Sequence, residues 1–133
     1  MKQPTVFIVE DDRDTREMIG RFLELEGYSV ESAANGRQAL DLLDEGTRVC
    51  VILLDLMMPV MDGWEFRRRQ RQMDPAIATI PVVVFTADGG VQEKAAAVGA
   101  IGGIGKPIGI DALLEVVARH CRSPIERRTS ERG

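Results

Sequence analysis

Two periods alternate along this chain. Short apolar runs that end on a polar residue read as strands, and stretches with apolar residues every three or four positions read as helices. Thr5 to Val9 is the first such run, ending on Glu10, Asp11 and Asp12. A helix should follow: Asp14 with Glu17 three residues on resembles a capping box, Met18, Ile19, Phe22 and Leu23 recur at helical spacing, and Gly27 supplies the stop. Tyr28 to Ala33 alternates as a second strand, and Asn35-Gly36 turns into a helix with Ala39, Leu40 and Leu43 on one face, ended near Gly46. The third strand, Val51 to Leu54, stops abruptly on Asp55. Pro59 and Gly63 bound a loop before a third helix, Trp64 to about Met73, whose Arg67, Arg68, Arg69 and Arg71 read as a solvated face or, more sharply, as a docking patch for an acidic partner. Pro81 opens a fourth strand, Val82 to Phe85, ending on Thr86, and an alanine-rich helix over Val91 to Val98 stops at Gly99. Ile101 to Ile104 is a fifth strand so rich in glycine that pattern alone would not assign it, and it runs into Gly105, Lys106 and Pro107. Leu113, Leu114, Val116 and Val117 stripe a last helix, Asp111 to Cys121.

Five strand–helix units in alternation predict an α/β fold: a five-stranded parallel sheet with helices on both faces. Right-handed crossovers and five units favour the flavodoxin-like order 2-1-3-4-5, with the switch point between strands one and three. One domain over residues 1–122 is expected, with 123–133 as a flexible tail or a truncated linker.

Composition adds bounds. At 44% hydrophobic and 29% charged the chain is globular rather than disordered, and no apolar run approaches a membrane span. A net charge of −4 gives no reason to expect direct nucleic-acid binding. Cys50 and Cys121 match no zinc spacing, and Cys50 borders the buried third strand, so a reduced, cytoplasmic chain is expected.

The polar residues at the strand ends carry the chemistry. A buried acid such as Asp55 is costly unless it is paired, hydrogen-bonded or bound to metal. In the predicted order Glu10, Asp11, Asp55, Thr86 and Lys106 all fall on one edge of the sheet. Two carboxylates about 4 Å apart repel by ~4 kcal/mol at an effective dielectric of 20. A hard divalent cation relieves that repulsion: Mg²⁺ prefers oxygen ligands, and no His or Cys is near to favour zinc. With Lys106 as a mobile positive charge and Thr86 as a hydroxyl donor, the set describes an aspartyl nucleophile facing a transferring phosphoryl group.

These residues also carry a resemblance. FIVEDD, LLDLMMPVMDG, VVVFTA and the Lys106-Pro107 pair stand in the order and spacing of the receiver domain of two-component response regulators, over about residues 4 to 122. The resemblance implies that Asp55 accepts a phosphoryl group from a sensor histidine kinase or a histidine phosphotransfer protein. It implies Mg²⁺ (with Mn²⁺ as a substitute) held by Asp11 directly, by Glu10 through a water, by Asp55 and by the backbone carbonyl of Met57. Thr86 and Lys106 would contact phosphoryl oxygens, Asp12 would be at most an accessory acid, and catalysis would be confined to the domain's own phosphorylation and dephosphorylation. The first helix would dock the kinase, pointing to Arg13, Arg16, Met18, Ile19 and Phe22. Two departures stand out: the family's inward-turning aromatic, three positions before the lysine, is Gly103, and Ile108 replaces the usual Phe after the proline. Phosphorylation chemistry is therefore expected intact, with output through the last two helices weakened or altered. Met57 and Asp88 occupy positions that tune phosphoryl lifetime in the family. The alternatives are a receiver fragment of a larger DNA-binding regulator or hybrid kinase, an aspartate-nucleophile phosphohydrolase, a flavodoxin-like cofactor binder and an inert interaction module. The phosphohydrolase would want an acid where Met57 stands, and the cofactor binder would find its phosphate repelled by Glu10, Asp11 and Asp12.

Overall fold

A strand sends successive side chains to opposite faces, and in this protein both faces are covered. The computed structural model describes residues 5–87 and 89–121. The strands are β1 (Thr5–Val9), β2 (Ser29–Ala33), β3 (Val49–Asp55), β4 (Val82–Thr86) and β5 (Gly102–Gly105). The helices are α1 (Arg13–Leu25), α2 (Gly36–Asp44), α3 (Gly63–Arg71), a single turn α4 (Pro75–Ala78), α5 (Val91–Ala97) and α6 (Ile110–His120). All strand pairs are parallel, in the order β2-β1-β3-β4-β5 that the sequence predicts.

The alternation sorts the core into two layers. Phe7, Val9, Ile52, Leu54, Val82 and Val84 face α2, α3 and α5 through Ala39, Leu43, Phe66, Ala95 and Val98. Their neighbours Val6, Ile8, Val51, Leu53, Val83 and Phe85 face α1 and α6 through Ile19, Leu23, Leu113 and Val117. Each such side chain, once fully buried, contributes roughly 1.5–3 kcal/mol of transfer free energy, so the three central strands dominate stability. The edges are thinner: β2 alternates exposed and half-buried positions up to buried Ala33, and no residue of β5 is fully buried.

Three local features differ from the sequence reading. The N-cap of α1 is Asp12, whose carboxylate accepts from Thr15 N at 2.9 Å, where the sequence reading placed the cap at Asp14. Asp14 lies inside the first turn, and Glu17 pairs with exposed Arg13 instead of closing a box. Helix α4 was not expected, because four residues are too few to show a period. Buried Gln70 holds it, donating from Nε2 to Ile77 O at 2.9 Å. The third difference is covalent. Cys50 and Cys121, expected reduced, are joined in a disulfide with Cα atoms 5.6 Å apart. The sequence places them far apart, and only the packing of α6 on β3 brings them together. Asp88 and the tail beyond Cys121 lie outside the described residues.

Candidate functional site

Parallel strands point all their carboxyl ends one way, and the order places β1 beside β3 at that edge. Glu10, directly after β1, is fully buried; Asp55 closes β3 at 3% exposure and Thr86 closes β4 at 1%. Asp11 is exposed, and Lys106 follows β5. The predicted residues therefore meet: Glu10, Asp11 and Asp55 each offer a carboxylate oxygen within 4.8 Å of the others. Lys106 Nζ donates to Glu10 Oε1 at 2.7 Å and to Asp55 Oδ2 at 3.4 Å. Asp55 Oδ1 accepts from Met57 N at 3.0 Å, so the backbone just past the acid fixes its orientation. Thr86 reaches the same corner through the chain, its carbonyl accepting from Lys106 N at 2.9 Å.

The loop behind Asp55 explains its sequence. Asp62 caps α3, its Oδ1 accepting from Glu65 N at 2.9 Å. The next residue must be glycine: a Cβ on Gly63 would lie 2.7 Å from Leu56 Cα and 2.8 Å from Asp55 O. Val60, at the exposed tip of this loop, holds a left-handed φ of 69°, unusual for a β-branched residue.

Charge at the site is out of balance. Burial first, and then Asp55, push the Glu10 carboxyl up to about 8, against the pull of Lys106. Burial alone would lower Lys106, but Glu10 and Asp55 outweigh it and hold the ammonium above its ordinary value. One cation does not settle three acids, and Glu10 Oε2 remains buried without a hydrogen-bond partner among the described residues. An unpartnered buried carboxylate oxygen is expensive. With oxygen donors only, the cluster suits a hard divalent cation.

Two supporting roles escaped the sequence reading. Arg16 Nη1 donates to Glu10 O at 2.8 Å and reaches Asp11 O at 3.4 Å, bracing the acid loop by its backbone. The available signal was an arginine near a helix N-terminus, where the dipole disfavours a cation unless carbonyls receive it. Phe85 lies under Lys106, its ring centroid 5.2 Å from Nζ. The proposed docking face divides: Ile19 is core at 0% exposure and Arg16 is turned to the loop, while Met18 and Phe22 stand 41% and 38% exposed beside exposed Arg13.

At Gly103 the structure shows what replaces the aromatic. A Cβ there would meet Val91 Cγ2 at 2.8 Å and Val91 O at 3.0 Å, so α5 occupies the space above the strand. Gln92 Nε2 donates to Gly103 O at 3.0 Å and closes the same gap.

A doubly wound sheet with acids from two adjacent strands, a strand-end threonine and a strand-end lysine is the arrangement of a receiver-type α/β fold. The response regulator receiver domain family model matches residues 6–118, and the chain belongs to that family. It is 39% identical to a response regulator MprA of Mycolicibacterium vanbaalenii over 130 residues, covering 96% of this chain and 53% of that protein. The chain thus spans about half the length of the curated relatives it matches. Among solved structures it is similar to the chemotaxis protein CheY4 of Vibrio cholerae, at 34% identity and a TM-score of 0.80 over 90% of this chain and 99% of that one. It is also similar, at 26% identity and a TM-score of 0.79, to a complex of two Saccharomyces cerevisiae proteins: the histidine phosphotransfer signaling protein Ypd1 and the receiver domain of its downstream response regulator Ssk1. That match covers 90% of this chain and 89% of the matched chain.

Proposed function

We propose that Asp55 is the phosphoacceptor of a two-component phosphorelay. The observation that carries this reading is the convergence of Glu10, Asp11 and Asp55 around one buried, unpartnered carboxylate oxygen, with Lys106 already bridging two of the acids. A carboxylate oxygen of Asp55 attacks phosphorus, the phosphorus–nitrogen bond of a phosphohistidine breaks, and the imidazole leaves with a proton from solvent. Asp11, Glu10, Asp55 and the Met57 carbonyl would hold Mg²⁺ (or Mn²⁺ in its place), which supplies positive charge against the phosphoryl oxygens. Lys106 is free to exchange its carboxylate partners for a phosphoryl oxygen, and Thr86 donates its hydroxyl to another. The donor is a sensor histidine kinase or a histidine phosphotransfer protein, docking beside Met18 and Phe22.

The unit concerned is residues 1–122, with 123–133 as a tail or linker. Its chemistry is confined to gaining and losing its own phosphoryl group, which sets it apart from a phosphohydrolase: Met57, two residues past the nucleophile, offers a backbone group rather than a second acid. A cytoplasmic location belongs to the same proposal, because a phosphohistidine is a labile, charged donor met where kinases have their nucleotide. With α5 seated against Gly103 and no ring to turn inward, output through α5 and α6 is altered while reception is complete. Incubation with acetyl phosphate and Mg²⁺ tests the assignment. Wild type should gain one hydroxylamine-labile phosphoryl group and Asp55→Ala none; a mutant that still labels would place the acceptor elsewhere.

A further inference from the structure

Helix α6 is lightly held. It buries only Leu113 and Val117, and no side chain caps its N-terminus. Upstream, Lys106 binds Glu10 and Asp55. Downstream, Cys121, the C-cap residue, is bonded to Cys50, the second residue of β3, 71 positions earlier in the chain. Each end of this segment is thus tied, one by charge and one by a covalent bond.

The pair is suited to cycling. Cys121 is buried at 4% exposure, but Cys50, packed on the same α1/α6 face of the sheet, is only partly buried. Cys50 is thus the less buried half of the pair and the sulfur at which a small thiol would attack. That sulfur also lies 3.4 Å from the carbonyl oxygen of Thr5. A disulfide sulfur has no proton to donate, so this contact becomes a hydrogen bond only when the thiol is restored. Each oxidation state has a partner waiting.

We infer that Cys50 and Cys121 form a reversible thiol–disulfide site whose co-reactant is a low-molecular-weight thiol or its disulfide, and that its state sets how firmly α6 is held to β3. In the reducing direction a thiolate attacks the Cys50 sulfur, the Cys50–Cys121 bond breaks, and Cys121 leaves as a thiolate that takes a proton. A second small thiolate then resolves the mixed disulfide, so the protein gains two electrons and two protons while two small thiols become one small disulfide. Oxidation runs the same steps backward. A disulfide in a reducing compartment is usually redox-responsive rather than a permanent staple, so the site is compatible with a cytoplasmic protein. The inference does not depend on the phosphoacceptor assignment.

The test uses the full chain, equilibrated with reduced and oxidised glutathione in a series of ratios and quenched with a thiol-alkylating reagent. The unlabelled form should appear at oxidising ratios and the doubly labelled form at reducing ones, without unfolding by circular dichroism. Amide exchange over the last turn of α6 should quicken by roughly an order of magnitude on reduction, and Cys50→Ser should show the faster rate in either buffer. Free thiols at every ratio, a bond that glutathione does not open in the folded protein, cross-linked dimers in place of the internal bond, or unchanged exchange in α6 would each overturn the inference. The wild-type measurement decides the matter even if the serine variant folds poorly.

Discussion

The carboxyl edge around Asp55 and the sheet edge formed by β5 are built from opposite materials. At the first, Glu10, Asp55 and Thr86 are buried, and their neighbours are charged or bulky: Lys106, Phe85 and the capped loop through Gly63. At the second, three of four strand residues are glycine, none is fully buried, and α5 rests on backbone rather than on a side chain. Receiving a phosphoryl group needs fixed charges at fixed distances, and the first edge over-determines them. Reporting the event needs an element with two arrangements, and a glycine strand leaves that to its neighbouring helices. On the proposed function the two tasks are separable in this chain, and mutations should act on one without the other.

The largest effect should follow removal of the cation at the first edge. Lys106→Ala leaves Glu10 and Asp55 without their shared donor, and labelling by acetyl phosphate should slow by about a hundredfold. Radiolabel or intact-mass kinetics with Mg²⁺ present would show it. A variant that labels at the wild-type rate would mean that reception does not depend on this edge as built. Next comes the loop. Gly63→Ala drives a Cβ to 2.7 Å from Leu56 Cα, a backbone atom with little room to move. The expected cost is about 2–3 kcal/mol in urea unfolding, with slower labelling because Asp55 shifts.

How much of this contrast was legible in the sequence follows the same division. The central strands declare themselves as unbroken apolar runs, since burial on both faces permits little else, and the acids and the threonine stand at their ends. The parallel order then brings those residues together with no further information. Backbone geometry is where reading fails. The true cap of α1 depends on which acid adopts an extended conformation before Thr15, and two acids two positions apart compete for that role. The bracing by Arg16 runs to carbonyl oxygens, which leave no mark in side-chain chemistry. The disulfide joins residues 71 positions apart in the chain, and spacing alone does not predict such a pair. Gly103 showed that a ring was missing, yet only the fold revealed that Val91 had taken its space.

The charge imbalance gives a test at intermediate scale. Glu10 has a carboxyl pushed up to about 8 from an ordinary 4.5, so between those values the folded protein keeps a proton that the unfolded chain has lost. Without divalent cation, stability should therefore fall as pH rises through this window, by at most about 1.4 kcal/mol per pH unit from this group. Binding of Mg²⁺ expels that proton, so apparent affinity should rise over the same range and level off above it. Thermal melts in EDTA and in Mg²⁺ at several pH values separate the two curves. A stability that rises through the window in EDTA would show that Glu10 is not the burdened acid.

The smallest effects, and the sharpest, lie in adjacent glycines of β5. Gly103→Ala places its Cβ against Val91 Cγ2 at 2.8 Å and Val91 O at 3.0 Å, so α5 must move outward. Gly102→Ala meets nothing within 4 Å, and its strand conformation suits alanine. The first should cost about 1–2 kcal/mol as an overpacked contact, and the second should stabilise by roughly 0.5 kcal/mol through a stiffer unfolded chain. Both should keep wild-type labelling rates, since neither touches the acids, while the amide spectrum of α5 should change in Gly103→Ala alone. Shifts of opposite sign at neighbouring positions would place the reporting device in the contact between Gly103 and Val91. If the two variants behaved alike, the strand would be merely loose, and the contrast between the edges would be one of stability rather than of task.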